Sequence, residues 1–308
     1  MKRRHFSRAG LGALAGLALG PARTARAQSI GTLKMLIPAN PGGGWDQTGR
    51  ALGAAMQAAK AVQSVQFDNK GGAAGTIGLA QFVNASKGDP NVLMVAGMVM
   101  VGGIVLNKSP VDLSTTTPIA RLTTEYEVIV VPAASPHRTI ADLAKAFRAE
   151  PGKVSWGGGS AGGTDHILAG LFAKAVGGEA TRVNYVPFKG GGEAIASIIG
   201  GHVAAGISGL GEFAEQIKAG RMRALAVSGP KAIDGIPSLK EQGIDVELGN
   251  WRGVFGAPGL SAAQRDALIA AVKAGTDASV WKDALRKYGW DAAWLAGDEY
   301  RRFLEADV

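Results

Sequence analysis

Val154-Ser155-Trp156-Gly157-Gly158-Gly159-Ser160-Ala161-Gly162-Gly163-Thr164-Asp165-His166 joins a short apolar run to the start of an apolar helical pattern. Ile167, Leu168, Leu171 and Phe172 carry that pattern onward, and five of the seven residues 157–163 are glycine. Glycine turns through positive φ without strain and lets a ligand come close to backbone amides. Thr164 is a suitable N-cap for the following helix. Unpaired N–H groups at a helix start, with the dipole behind them, attract an anion. The stretch therefore predicts strand, glycine turn and helix, with a negative group held at the turn.

Two enzyme patterns overlap the same glycines. Gly158-Gly159-Ser160-Ala161-Gly162 fits G-x-S-x-G, the hydrolase nucleophile turn. A hydrolase needs a histidine far downstream of the serine. Only His166, on the same helix start, and His202 follow it. Gly157, Gly159 and Gly162 fit the dinucleotide fingerprint G-x-G-x-x-G, which wants an acid ending the next strand. Glu179 has about the right spacing but precedes that strand. In a stretch this rich in glycine both matches are cheap.

The chain opens with a basic head (Lys2, Arg3, Arg4, Arg8), a short apolar run from Ala9 to Gly20, and Ala25-Arg26-Ala27. This reads as a secretory signal peptide over residues 1–27, with Arg3-Arg4 leaving the twin-arginine and ordinary export routes both open. Six of the 33 Lys+Arg and none of the 25 Asp+Glu lie in it. The remainder has 27 basic against 25 acidic residues, a net charge near +2, so the high pI gives no reason to expect nucleic acid. There is no cysteine, hence no disulfide and no cysteine metal site. Nothing in the sequence calls for a cofactor or metal.

From Leu33 one theme repeats: short apolar strand, glycine turn, helix. Leu33–Pro38 leads into Pro41-Gly42-Gly43-Gly44-Trp45-Asp46, then a helix to about Ala59. Val65–Asp68 leads into Gly71-Gly72-Ala73-Ala74-Gly75-Thr76 and a helix through Phe82. Val92–Ala96 ends in a loop, Gly97–Gly103. After the apolar strand Tyr126–Val131 the theme restarts, with a helix over Ile140–Ala149 and strands at Lys153–Trp156, Arg182–Pro187, Val203–Ile207 and Ala224–Val227. Ser261-Ala262-Ala263-Gln264 is a capping box, and helices near Val280–Tyr288 and Gly297–Ala306 follow. Alternation of this kind predicts a mostly parallel α/β sheet with ligands at the carboxyl ends of its strands. The restart predicts two domains: 28–127 with 229–308, and 128–228.

In their order, Pro41–Asp46, Gly71–Gly78, Trp156–His166, Pro187–Glu193 and Asn250–Phe255 resemble the periplasmic substrate-binding components of tripartite tricarboxylate transporters. These form the tricarboxylate-binding-receptor branch of the Bordetella uptake gene (Bug) family. The resemblance covers nearly all of Gly31–Val308. It implies a type II periplasmic-binding-protein fold, two α/β domains with a two-strand hinge. It also implies a monomeric, non-catalytic receptor that takes a small di- or tricarboxylate, such as citrate, and hands it to a membrane permease.

Members of that family hold the carboxylate by backbone amides, hydroxyls and waters at the strand-to-helix turns. Here the resemblance implies contacts at Pro41, Gly42, Gly43 and Gly44, and at Gly72, Gly75 and Thr76. In the second domain it implies Ser160, Gly163, Thr164 and Ser208. Trp45 and Trp156 adjoin these turns, where a tryptophan either lines a cleft or covers a domain edge. Met98 is either cleft wall or core. Lys70, Lys189 and Arg252 are either cationic contacts or solvated charges. Asp46 and Asp165 sit in first helical turns and suit an anion site poorly; they either cap amides or receive a hydroxyl or protonated ligand group. The competing function is an exported serine hydrolase using Ser160.

Overall fold

Strand β4 (Thr117–Pro132) is 16 residues long and belongs to two sheets. A computed structural model describes residues 30–307 of the chain. The basic head and the Ala25-Arg26-Ala27 site lie outside the described residues. Before β4 come β1 (Ile30–Ile37), α1 (Gly44–Ala58), β2 (Val62–Asn69), α2 (Thr76–Ala85), β3 (Val92–Gly97) and α3 (Met98–Asn107). After it come α4 (Ile140–Ala149), β5 (Ser155–Gly158), α5 (Thr164–Ala175), β6 (Asn184–Pro187), α6 (Gly191–Ile199), β7 (Ala205–Gly209), α7 (Leu210–Lys218) and β8 (Met222–Val227). The chain returns through β9 (Gly249–Gly256) to α8 (Ala262–Asp277), α9 (Ser279–Tyr288), β10 (Asp291–Ala296) and α10 (Gly297–Asp307).

The protein is a type II periplasmic-binding-protein fold, two α/β lobes with a two-strand hinge. Strand order is β2-β1-β3-β9-β4-β7-β5-β6, with β8 and β10 also paired to β4. The sheet is mixed where a mostly parallel one was expected. It is parallel within β2-β1-β3 and within β6-β5-β7, and every antiparallel pair involves β4 or β9. β4 runs on from the first sheet into the second, whereas β9 pairs only within the first, between β3 and β4.

Each lobe has its own apolar core. Leu33, Met35, Leu52, Leu93, Phe255, Leu268 and Trp281 belong to the first, which the C-terminal helices cover as expected. In the second lobe Phe147, Trp156 and Phe172 pack edge to face on one side of the sheet, with centroids 5.3–6.5 Å apart. Val128, Val130, Ile198 and Phe213 fill the other side. Leu239, Ile244 and Val246 also pack into the second lobe. We propose two moving bodies divided near 127/128, with the return crossing near Leu248 rather than at 228/229.

Three local expectations change. Met98–Asn107 is helix rather than loop, because α3 starts directly at the end of β3. β10 was not foreseen; its weak apolar pattern is held by pairing with β4. Gly163 rather than Thr164 is the N-cap of α5, with extended backbone at φ −76°, so Thr164 is the first helical residue. The capping box at Ser261 is present: its Oγ accepts from Gln264 N at 3.3 Å, and Gln264 Oε1 accepts from Ser261 N at 2.9 Å.

Ser228 stitches the crossing segments together. Its Oγ accepts from Glu127 N at 2.9 Å and donates to Leu248 O at 2.6 Å, while Ser228 N donates to Glu127 O at 2.9 Å. Without the hydroxyl, a buried N–H and a part-buried carbonyl lose this partner. Ser228→Ala is therefore expected to lower the unfolding free energy by about 1–3 kcal/mol, read from urea denaturation. An unchanged midpoint would show that the stitch contributes nothing.

Candidate functional site

Four α-helices begin at one cavity between the lobes. Gly43 and Gly44 bring the start of α1, Thr164 that of α5, Gly190 and Gly191 that of α6, and Gly209 that of α7. Each helix start presents backbone N–H groups without intrahelical partners and about half a positive charge. Pro38, Ala39, Val99, Phe188 and Ala194 supply apolar wall, and the cavity measures about 100 Å³. Its rim is closed from both sides: Asn40 N donates to Lys189 O at 3.4 Å, and a Cβ on Gly102 would lie 2.0 Å from Gly162 O.

The two principal turns are built alike. In the first, Gly42 has φ +97°, and its N–H donates to Asp46 Oδ2 at 3.1 Å. Asp46 Oδ1 also accepts from Arg50 Nε at 2.9 Å and Asn69 Nδ2 at 3.0 Å. Burial alone raises the Asp46 pKa, but these hydrogen bonds outweigh it and leave the carboxyl below its usual value. In the second turn Gly162 has φ +81°, and Gly159 N donates to Asp165 Oδ2 at 2.6 Å. Gly162 N donates to His166 Nδ1 at 3.1 Å. The His166 ring stacks on Tyr185, whose hydroxyl donates to Gly159 O at 2.9 Å. Both aspartates thus hold turn amides in place. His166 Nδ1 is thereby occupied by a backbone amide of its own turn.

Of the residues singled out in the sequence, Gly43, Gly44, Trp45, Gly72, Ser160, Thr164, Asp165, Lys189 and Ser208 line the cavity. Pro41, Gly42, Asp46, Gly75, Thr76 and Gly163 lie in the same turns but outside its lining. Met98 packs against the first core and Trp156 is fully buried in the second. Lys70 is exposed. Arg252 is 2 % exposed, and Lys189 stands exposed at the rim.

Arg252, one of the cations singled out in the sequence, also lines the cavity, and around it stand residues that the sequence reading missed. Thr123, Glu125 and Glu127 alternate along one face of β4, and Asn250 and Arg252 lie opposite on β9. Arg252 Nη2 donates to Glu125 Oε1 and, at 3.1 Å, to Glu212 Oε1 from α7. Asn250 Nδ2 donates to Glu125 Oε1 at 3.2 Å. Arg252 therefore ties both hinge strands to the second lobe. Glu127 is fully buried, lines the cavity, and has no hydrogen-bond partner of normal geometry on either oxygen among the described residues. An acid within Thr123–Val131, otherwise largely apolar, was the available signal.

Burial, partly offset by Arg252, pushes Glu125 up to about 7, and burial likewise carries Asp165 to about 7. Glu127 is pushed well above the carboxylate range by burial and then by the charges of Asp165 and Glu125. Glu212 is raised by burial despite Arg252. These carboxyls titrate near 4 in an unfolded chain. Between about pH 4.5 and 7 the folded protein thus holds more protons than the unfolded one, and its stability declines as pH rises. The melting temperature of the ligand-free protein is expected to rise on acidification from pH 8 to 5.5. Glu127→Gln should flatten that slope. A pH-independent melting temperature across the window would contradict the assignment.

Two α/β lobes hinged on two strands, with helix starts facing a closed cleft, define a solute receptor. The chain belongs to the family described as Tripartite tricarboxylate transporter family receptor, whose model matches residues 50–308. Among solved structures it is similar to the periplasmic binding protein BugD, with a TM-score of 0.83 and 23% identity, covering 90% of this chain and 94% of that one. A Rhodopseudomonas palustris protein with adipate has a TM-score of 0.80 at 23% identity, covering 90% and 93%. MatC from the same organism, with bound malate, has a TM-score of 0.77 at 20% identity, covering 85% and 90%. Among the described residues, no helix is long and apolar enough to cross a membrane.

Proposed function

We propose that this chain is an exported receptor that binds a small di- or tricarboxylate between its lobes and delivers it to the permease of a tripartite transporter. The observation that carries the reading is the convergence of four helix N-termini on one interdomain cavity. An anion leaving water needs donors that are already oriented, and helix starts supply them without side-chain entropy. Hydroxyls of Ser160, Thr164 and Ser208 stand among those amides. Malate and adipate in the similar proteins are both dicarboxylates, and their different lengths fit a mode of recognition that relies on backbone. Export is expected to remove residues 1–27 and place the protein in the periplasm as a monomer. The same reading assigns no catalytic role to Ser160.

Calorimetry with malate, adipate, citrate and a neutral sugar tests the proposal. Carboxylate binding without sugar binding is expected, with compaction seen by small-angle scattering. Ser160→Ala should weaken binding by about 1–2 kcal/mol, the scale of a hydrogen bond to a charged group. Gly44→Ala is the sharper variant. Its Cβ would lie 1.9 Å from Arg252 Nη2 and 2.5 Å from Glu212 Oε1, so it blocks closure without touching either core. Affinity should fall at least about tenfold, or 1.4 kcal/mol, while the fold persists. Sugar binding without carboxylate binding, or full affinity in Gly44→Ala, would defeat the reading.

A further inference from the structure

A site that takes an anion is expected to present positive charge, yet the floor of this cleft is acidic. The carboxyls of Glu125, Glu127, Asp165 and Glu212 are buried around the guanidinium of Arg252. Four helix starts add about half a positive charge each, so with every carboxyl ionised the cavity carries about one negative charge in excess. Glu127 is the acid that its surroundings leave unmet. Its side chain is completely buried and lines the cavity, and neither oxygen has a hydrogen-bond partner of normal geometry among the described residues. Arg252 Nη2 is engaged by Glu125 and Glu212. The neighbouring Thr164 hydroxyl donates to Asp165 Oδ1 at 3.4 Å. A carboxylate cut off from both water and donors is strongly disfavoured, whereas the neutral acid needs only an acceptor for its one proton.

We propose that Glu127 carries a proton into the closed complex and donates it, as a neutral carboxylic acid, to an oxygen of the bound anion, so that the receptor takes up one proton from solvent with each ligand. The inference rests on the carboxylate reading above. One O–H bond forms, on Glu127, and the ligand keeps its full charge. Register places the residue for this role. Glu127 is paired with Gly209 across β4 and β7, which sets it beside the start of α7. Ser160, Thr164 and Ser208 line the same cavity. An ionised Glu127 would turn lone pairs toward the lone pairs of the anion. The acid form turns a donor toward them, and an O–H···O⁻ bond is short and charge-assisted. Protonation of this one group also removes the charge excess that the floor would otherwise set against an incoming anion.

The groups around Glu127 set the sign of the linkage. Glu125 lies on its own strand, Asp165 and His166 on α5, Glu212 on α7, Arg252 on β9 and Tyr185 on β6, with Lys189 at the rim. Burial, and then the charges of Asp165, Glu125 and Glu212, hold the proton on Glu127 well above the carboxylate range. Burial carries Glu125 and Asp165 to about 7. It lowers His166, which is therefore neutral at pH 7 and above, and raises the Tyr185 hydroxyl out of that range. With the lobes apart, water reaches the floor and the acids ionise more readily. Closing on an anion removes that water and adds negative charge. Both changes put a proton on, so affinity falls as pH rises through 7 to 8. A cradle of backbone amides alone has nothing to titrate there, and its affinity for a fully ionised dicarboxylate would stay level.

The test is a proton count. Malate and adipate, both fully ionised at about pH 7 and above, are titrated calorimetrically at roughly pH 7 and 8 in two buffers of unlike protonation enthalpy. The dependence of the measured enthalpy on buffer gives the protons taken up. About one proton per ligand is expected at the higher pH, and affinity should fall about five- to tenfold across the interval. Glu127→Gln supplies an amide donor that needs no proton. In that variant the uptake should drop by about one proton and the affinity should become level with pH, exceeding that of the native protein at the higher value. Its melting temperature checks the fold; if it does not fold, the native proton count and pH slope decide. An enthalpy independent of buffer in the native protein, an affinity level with pH, or an uptake unchanged in Glu127→Gln would each overturn the inference and leave the carboxylate reading standing. No binding of either acid at either pH would overturn both.

Discussion

The Arg252 guanidinium, buried where β4, β9 and α7 meet, constrains how the two lobes come together. Removing an arginine from water costs several kcal/mol unless opposite charges and hydrogen bonds replace the lost hydration. Glu125 replaces it from within the hinge, and Glu212 replaces it from the second lobe. Opening the cleft separates Arg252 from Glu212 and admits water to both, so the bridge biases the closed arrangement only as far as its geometry is kept. Gly44 is part of that geometry, because any side chain there would occupy the space of the bridge. The glycine at the start of α1 thus serves contact between lobes as much as approach by a ligand.

Around this constraint the same local device occurs twice. A glycine in the left-handed region turns the chain, and an aspartate in the next first helical turn accepts a turn N–H. These are Gly42 with Asp46, and Gly162 with Asp165. The two aspartates still differ electrostatically. Asp46 has Arg50 and Asn69 beside it and stays easily ionised. Asp165 is fully buried and faces Glu212, and burial first, then that charge, raises it to about 7. One residue type in one local frame therefore does two jobs, and the difference arises across the cleft.

That difference shows what the sequence made legible. Strand, turn and helix at Gly157–Asp165, the capping box at Ser261 and the lobed α/β architecture follow from periodicity and turn chemistry within a few residues. The floor does not. Glu125 and Glu127 share a face by simple alternation, but whether that face meets water or a cleft depends on pairing with Asn250 and Arg252, 125 residues away in the Glu125–Asn250 contact. Trp156 was ambiguous for the same reason: its ring turns into Phe147 and Phe172, which only the packed helices α4 and α5 place there. Residues that act through their own turn could be read, and residues that act through a distant partner could not.

Recognition in this cleft is accordingly divided between backbone and side chain. Amides at helix starts hold a carboxylate whatever the side chains around them, which suits a fold whose similar structures contain both malate and adipate. They carry little information about the rest of the ligand. The information is left to the floor, and the floor lies on β4 and β9, the strands that must bend when the lobes open. The charges of Asp165 and Glu125 add to burial in keeping a proton on Glu127, so the protonation of the floor is coupled to the strand that links the two lobes.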